Sequence, residues 1–272
     1  MIRRKLFAAV VVAAFAAAAP LAAQNAPTVI AVTAHDYAFE APDTVPAGLV
    51  TFQLTSDGKE PHHTTVARLD EGKTMADVVA LLGTHGPPPA WFVTVGGPQA
   101  TEGGPANAML YLTPGNYVHI CFIPSPDGVP HVAKGMIRPF TVVGEVASQA
   151  APMPEGAITV RLVDYGFEFS TPLTAGRHTL MFENPAEQPH ELVLMKLAPG
   201  RTAAEAAAWV ETMQGPPPMS LAGGITSLDP GAQATTTVDL EPGEYALICF
   251  IPDDKDGKPH VAHGMISQIT VE

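Results

Sequence analysis

The chain has 272 residues, enough for two ordinary domains, and 46% of them are hydrophobic, so each half can bury its own core. Its formal net charge of −13 argues against nucleic acid or an anionic membrane surface as a partner. The 28 Pro and 24 Gly point to frequent turns and short strands rather than long helices.

Residues 1–23 read as a signal peptide. Arg3, Arg4 and Lys5 precede an unbroken apolar run from Leu6 to Ala19, and small residues end at Ala23. That run is shorter than the roughly 20 residues of a membrane span. The expectation is an exported, soluble protein, periplasmic or extracellular, with no membrane span after cleavage. Loss of the leader removes three positive charges and no acidic ones, taking −13 to −16.

The mature chain repeats. Asp36-Tyr-Ala-Phe-Glu40 returns as Asp164-Tyr-Gly-Phe-Glu168, and Pro114-Gly115-x-Tyr117 returns as Pro242-Gly243-x-Tyr245, both 128 residues on. A period this long means tandem domains rather than a solenoid. The expected domains are 26–144 and 156–272, joined by a linker at 145–155 rich in Ala, Pro and Ser.

Both halves read mostly as strand. Thr28–Thr33 and Ala157–Val163 open them. Val50–Leu54 and His178–Phe182 alternate like half-buried strands. Thr64–Leu69 and Glu191–Leu197 follow, then Asn116–Phe122 and Glu244–Phe250. Met136–Val143 and Met265–Val271 close each half. One short helix interrupts each set, over Met75–Leu82 and Ala203–Met213, announced by Thr74…Asp77 and Thr202…Glu205 in the pattern of a capping box. Each helix ends near a Gly-Pro-Pro-Pro block, at 86–89 and 215–218. The insert reads as a stiff lid over one end of an antiparallel sandwich, or as a docking surface for a partner. Trp91 and Trp209 read as packing residues of that region.

One loop carries the chemistry, and it occurs twice. Cys121, His131 and Met136 lie in Cys-Phe-Ile-Pro…Pro-His-Val-Ala-Lys-Gly-Met. Cys249, His260 and Met265 lie in Cys-Phe-Ile-Pro…Pro-His-Val-Ala-His-Gly-Met. His62 and His190, each after a Pro, stand 59 residues before their cysteine. Two imidazoles, a thiolate and a distant thioether are the donors of a mononuclear blue copper site. The alternative for two cysteines in an exported chain is a disulfide. These two, however, are equivalent positions of a repeat, and bonding them would require both to face one interface.

At these residues each half resembles a cupredoxin. The resemblance implies an all-β fold: two tandem Greek-key β-sandwiches, each with one short helical insert. Nine or ten residues separate Cys from His here, more than in small blue copper proteins. In that length, and in Pro-His-Val-x-x-Gly-Met, the loop resembles the type 1 copper loop of copper nitrite reductases. By that match His62, Cys121 and His131 would be equatorial ligands with Met136 axial. His190, Cys249, His260 and Met265 would form the second set. Catalytic copper in those enzymes is held by a His next to the cysteine. Ile120 and Ile248 precede the cysteines here, and Phe122 and Phe250 follow, so those catalytic ligands are lacking. His35, His63, His85, His119, His178 and His263 have no His counterpart in the other half and read as ordinary core or surface residues.

The resulting expectation is an exported protein with up to two coppers cycling between Cu(I) and Cu(II). It passes single electrons to a redox protein whose identity the sequence does not specify, and it is not an enzyme. The alternatives are copper capture and delivery, or a metal-free interaction module of the same fold.

Overall fold

A computed structural model describes residues 27–84, 87–102, 104–146, 154 and 156–272. The expected leader, His85, Gly86, Gly103 and most of the expected linker lie outside the described residues. The first half contains β1 (Thr28–His35), β2 (Ala38–Glu40), β3 (Thr44–Pro46), β4 (Gly48–Ser56), β5 (Thr65–Leu69), α1 (Met75–Leu82), β6 (Phe92–Thr94), β7 (Ala106–Leu112), β8 (Gly115–Ile120) and β9 (Ile137–Val143). The second contains β10 (Ile158–Val163), β11 (Gly166–Phe169), β12 (Gly176–Glu183), β13 (His190–Leu197), α2 (Ala203–Thr212), β14 (Met219–Leu228), β15 (Gln233–Leu240), β16 (Gly243–Ile248) and β17 (Ile266–Val271).

These strands build two β-sandwiches. In the first half β2-β1-β4-β7 packs on β3-β9-β8-β5-β6, and in the second β11-β10-β12-β15 packs on β14-β13-β16-β17. Alternation drives the packing. Val50, Phe52 and Leu54 of β4 turn inward onto Tyr117 of β8 and Phe140 of β9, with the Phe52 and Phe140 rings 5.8 Å apart. Leu180 and Phe182 of β12 meet Leu192, Leu194, Tyr245 and Leu247 in the same way.

The sandwiches are not purely antiparallel, as the sequence suggested. β1 pairs parallel to β4, β10 to β12, and β3 to β9. After β1 the chain turns back as β2 and crosses to the other sheet as β3. It re-enters the first sheet in its original direction as β4, which forces the parallel pairing.

The helices also differ from the expected lid over one end. α1 covers the outer face of its sheet, against Ala67, Leu69, Val118 and Ile120. α2 covers the corresponding face, against Val193, Met195, Ala246 and Ile248. The cause is legible in β5 and β13, where Ala67 and Leu69, and Val193, Met195 and Leu197, turn away from the core and need cover. Both capping boxes form: Thr74 with Asp77, and Thr202 with Glu205. Trp91 and Trp209 pack in these outer clusters.

The halves join along two seams. β7 pairs antiparallel to β15, its counterpart in the repeat, merging two four-stranded sheets into one of eight. Beside it, Val95, Pro98 and Thr101 bridge to Leu228, Ile225 and Ala222. Gly96-Gly97 corresponds to Gly223-Gly224, an offset of 127. At that offset Pro98 is the counterpart of Ile225, the residue it bridges, while the Val95 and Thr101 bridges exchange with each other. The seam is therefore a pseudo-two-fold contact of the kind that symmetric dimers make, here within one chain.

Candidate metal centres

In the first half the structure brings together His62, Cys121 and His131, all buried. Nδ1 of His62 lies 3.1 Å from Nδ1 of His131, and Cys121 Sγ lies 3.4 Å from the latter. The second half repeats this with His190, Cys249 and His260: 3.0 Å between the Nδ1 atoms and 3.4 Å from Cys249 Sγ to His260 Nδ1. His62 stands at the entry to β5 and His190 begins β13, while each cysteine follows the last residue of β8 or β16.

The long loops return each His through local turns. In the first, Gly128 at φ 79° closes the tip, and a 3-10 turn over His131–Lys134 ends at Gly135 with φ 105°. Val132 N then donates to Cys121 O at 2.9 Å, Met136 N to His131 O at 3.0 Å, and Cys121 N to Met136 O at 3.2 Å. Val261, Met265 and Cys249 make the same three bonds in the second half, at 2.9, 3.0 and 3.2 Å. Met136 and Met265 are thus tied to the ligand loops by their backbones, and both are fully buried.

The outward ring nitrogens face carboxylates. His62 Nε2 lies 3.2 Å from Asp36 Oδ1, and His131 Nε2 lies 2.8 Å from Glu60 Oε2. In the second half His190 Nε2 lies 3.0 Å from Asp164 Oδ1. His260 Nε2 lies 3.7 Å from Asp253 Oδ2 and has no hydrogen-bond partner. Burial pushes the pKa of His62 and His190 down, and that of His260 to about 4, which keeps these imidazoles neutral. A neutral ring whose Nε2 proton is held by a carboxylate presents Nδ1 as a lone pair. In the first half two ring Nδ1 atoms and a sulfur converge, and that donor set suits a soft cation. Burial, aided by the Glu60 charge, pushes the Cys121 thiol up to about 12, and burial with the Glu191 charge raises Cys249 likewise, so a thiolate there depends on a bound metal. Two nitrogens and a soft sulfur suit copper, and the two groups could hold up to two ions.

The tyrosines of the Asp-Tyr repeat belong to this shell. Tyr37 and Tyr165 sit at φ 66° and 62° in the β1–β2 and β10–β11 turns, an uncommon conformation for an aromatic residue. The turn aims Asp36 or Asp164 at the entering His. Tyr37 OH donates to Glu60 Oε1 at 2.9 Å, and Tyr165 OH donates to Asp253 Oδ2 at 2.7 Å. In the sequence this motif marks the repeat, and its recurrence in both halves was the signal available for this role.

The remaining histidines divide. His63 is buried beside the first centre, but its ring turns away: Nε2 accepts from Phe122 N at 2.9 Å. His119 lies in the core, stacked on Phe140 at 4.4 Å. His263 is exposed and pairs with Asp256 at 3.1 Å. His35 and His178 lie in β1 and β12, outside both centres. Ile120 and Ile248 pack under α1 and α2. Phe122 and Phe250 line a cleft of about 1410 Å³ between the halves, together with Trp209, Met213 and Pro217. Both cysteines are free. Among the described residues no helix is long and apolar enough to cross a membrane.

No family model matches the chain, and no curated protein matches it. Among solved structures, auracyanin from Roseiflexus castenholzii is similar over 42% of this chain and 94% of its own, at 22% identity and a TM-score of 0.29. The copper nitrite reductase of Nitrosomonas europaea is similar over 91% of this chain and 94% of its own, at 15% identity and 0.24. The Cu-containing nitrite reductase of Thermus scotoductus is similar over 90% of this chain and 61% of its own, at 10% identity and 0.24.

Proposed function

We propose that this cupredoxin-like chain is an exported two-centre blue copper protein that transfers one electron at a time. His62, Cys121 and His131 hold copper in the first domain (26–144), with Met136 as the weak axial ligand. His190, Cys249, His260 and Met265 do so in the second (156–272). Copper supplies the redox couple. The protein holds the donors in one geometry, which limits rearrangement between Cu(I) and Cu(II). The carboxylates behind the imidazoles fix ring orientation, and the apolar surroundings of each sulfur keep water out.

The observation that carries this reading is the pair of facing Nδ1 atoms beside a buried sulfur, made twice in one chain. Electron transfer is preferred to catalysis because Ile120 and Ile248 stand where a catalytic copper ligand would sit. Titration of the mature protein with Cu(II), followed by visible absorption and metal analysis, tests it. An intense thiolate-to-copper band that saturates at two coppers per chain supports the reading. Stoichiometric binding without that band favours capture and delivery, and no binding favours a metal-free module. Nitrite reduction or oxidase turnover by the loaded protein would count against a pure carrier.

A further inference from the structure

The repeat breaks where the two halves meet. His63 has Glu191 as its counterpart, and Gln99 has Thr226. His63, Gln99 and Glu191 are only 6%, 3% and 6% exposed. They form one hydrogen-bonded line across the pseudo-two-fold seam. Phe122 N donates to His63 Nε2 at 2.9 Å, so Nδ1 carries the ring proton and donates to Gln99 Oε1 at 3.2 Å. Gln99 Nε2 donates to Glu191 Oε2 at 3.0 Å, and Glu191 Oε1 accepts from Phe250 N at 3.0 Å. Phe122 directly follows Cys121, and Phe250 directly follows Cys249. The line thus runs from the amide after one candidate ligand to the amide after the other.

The break in symmetry has a chemical reason. A carboxamide offers one acceptor oxygen and one donor nitrogen, so it can join a donor on one side to an acceptor on the other. Two histidines, each accepting an amide at Nε2, would present two N–H donors to a single oxygen. Two glutamates would bring a second buried carboxylate to the axis with only the amide nitrogen to serve both. His opposite Glu is the pairing that one glutamine satisfies completely, and buried polar groups persist where every member is satisfied.

We propose that Gln99 couples the two metal centres, acting as a positioning residue that holds the amide next to each cysteine so that a change at one centre reaches the other. This rests on the two-centre reading above. Contiguous hydrogen-bonded networks transmit such effects, and the proof is a measured interaction between the ends.

The test has two arms. In metal-free protein, amide hydrogen exchange at Phe122 and Phe250 should both accelerate at least tenfold in Gln99→Leu. In copper-loaded protein, Gln99→Leu should shift the thiolate-to-copper band in the Cys249→Ser background and also in the Cys121→Ser background. A merely local role for Gln99 would move the first-half signals alone, and that result, or no response at either amide, overturns the proposal. Should Gln99→Leu fail to fold, Gln99→Asn serves, because it keeps the amide but is too short to reach both partners. Exchange in the unaltered protein adds a check: a tenfold disparity between the two amides means that they do not open together, and it overturns the proposal. Absence of any blue band rejects the two-centre reading, while the metal-free arm still judges the bridge by itself.

Discussion

Nε2 of His131 stands 2.8 Å from Oε2 of Glu60, whereas its counterpart His260 has no hydrogen-bond partner at Nε2. The repeat has exchanged its carboxylate. Gln188 takes the place of Glu60, and Asp253 takes that of Ser125. Asp253 is engaged elsewhere, accepting from Tyr165 OH at 2.7 Å, Gln188 Nε2 at 3.2 Å and Lys255 N at 2.8 Å. A carboxylate bonded to a ligand imidazole fixes the ring and raises its basicity. Glu60→Gln should therefore weaken metal binding in the first half by about 10–100-fold. Calorimetric titration in the Cys249→Ser background measures this.

His119 makes acid the weak side of the first domain. Its Nδ1 lies 3.0 Å from Thr64 Oγ1, and its Nε2 is buried without a partner. Burial, aided by the Arg138 charge, pushes its pKa from 6.5 to about 3. The unfolded chain therefore binds this proton before the folded one does. Stability is fully present above pH 6.5 and falls as pH drops toward 3, by up to about 1.4 kcal/mol per unit. Glu191, raised by burial to about 7, works in the opposite sense between about pH 7 and its ordinary value. His119→Leu installs the residue found at the equivalent Leu247 and should flatten the acid side. Urea unfolding of both metal-free proteins at pH 7 and pH 5 decides it, since equal losses would remove His119 as the cause.

The helices were legible in the sequence because their signals are local: Thr74 with Asp77, and Thr202 with Glu205, lie three residues apart and cap their own turns. The recurrence of Cys, His and Met on one loop was legible as chemistry, and the strands bordering it were legible from alternation. The parallel pairing of β1 with β4 was not, because register depends on where an intervening strand crosses between sheets. His63 passed as an ordinary residue because it faces Glu191 in the alignment. Its role depends on complementarity across the seam, and a search for identity between the copies overlooks that. The position of β7 beside β15 likewise depends on how two finished sandwiches meet.

Each cysteine should carry its own chromophore. Cys121 and Cys249 are free, buried and in separate clusters. Cys121→Ser and Cys249→Ser should each remove one copper equivalent and one blue band, leaving the other. Full colour in either variant, read by visible absorption against metal content, would reject the two-centre reading. Loss of all colour in one would show that the other half never held a blue site.

Two glycines of the seam segments leave no room for a side chain. A Cβ on Gly97 would lie 1.9 Å from the carbonyl oxygen of Thr64, and one on Gly224 would lie 1.9 Å from that of Leu192. Both glycines have positive φ, 150° and 122°. The obstructing atoms are backbone and belong to segments that directly follow His63 and Glu191, so relief by a side-chain rotation is impossible. Thr64 N also donates to Pro98 O at 3.1 Å, and Thr226 N donates to Gly97 O at 3.1 Å, which pins Gly97 from both sides. Gly97→Ala should cost on the order of 3 kcal/mol or more. Gly48 supplies the control, with φ 110° and nothing within 4 Å of an added Cβ. Gly48→Ala should cost only the roughly 1–2 kcal/mol of an unfavourable φ. Equal losses for the two variants in urea unfolding would mean that conformation, and not the collision with Thr64, governs the seam.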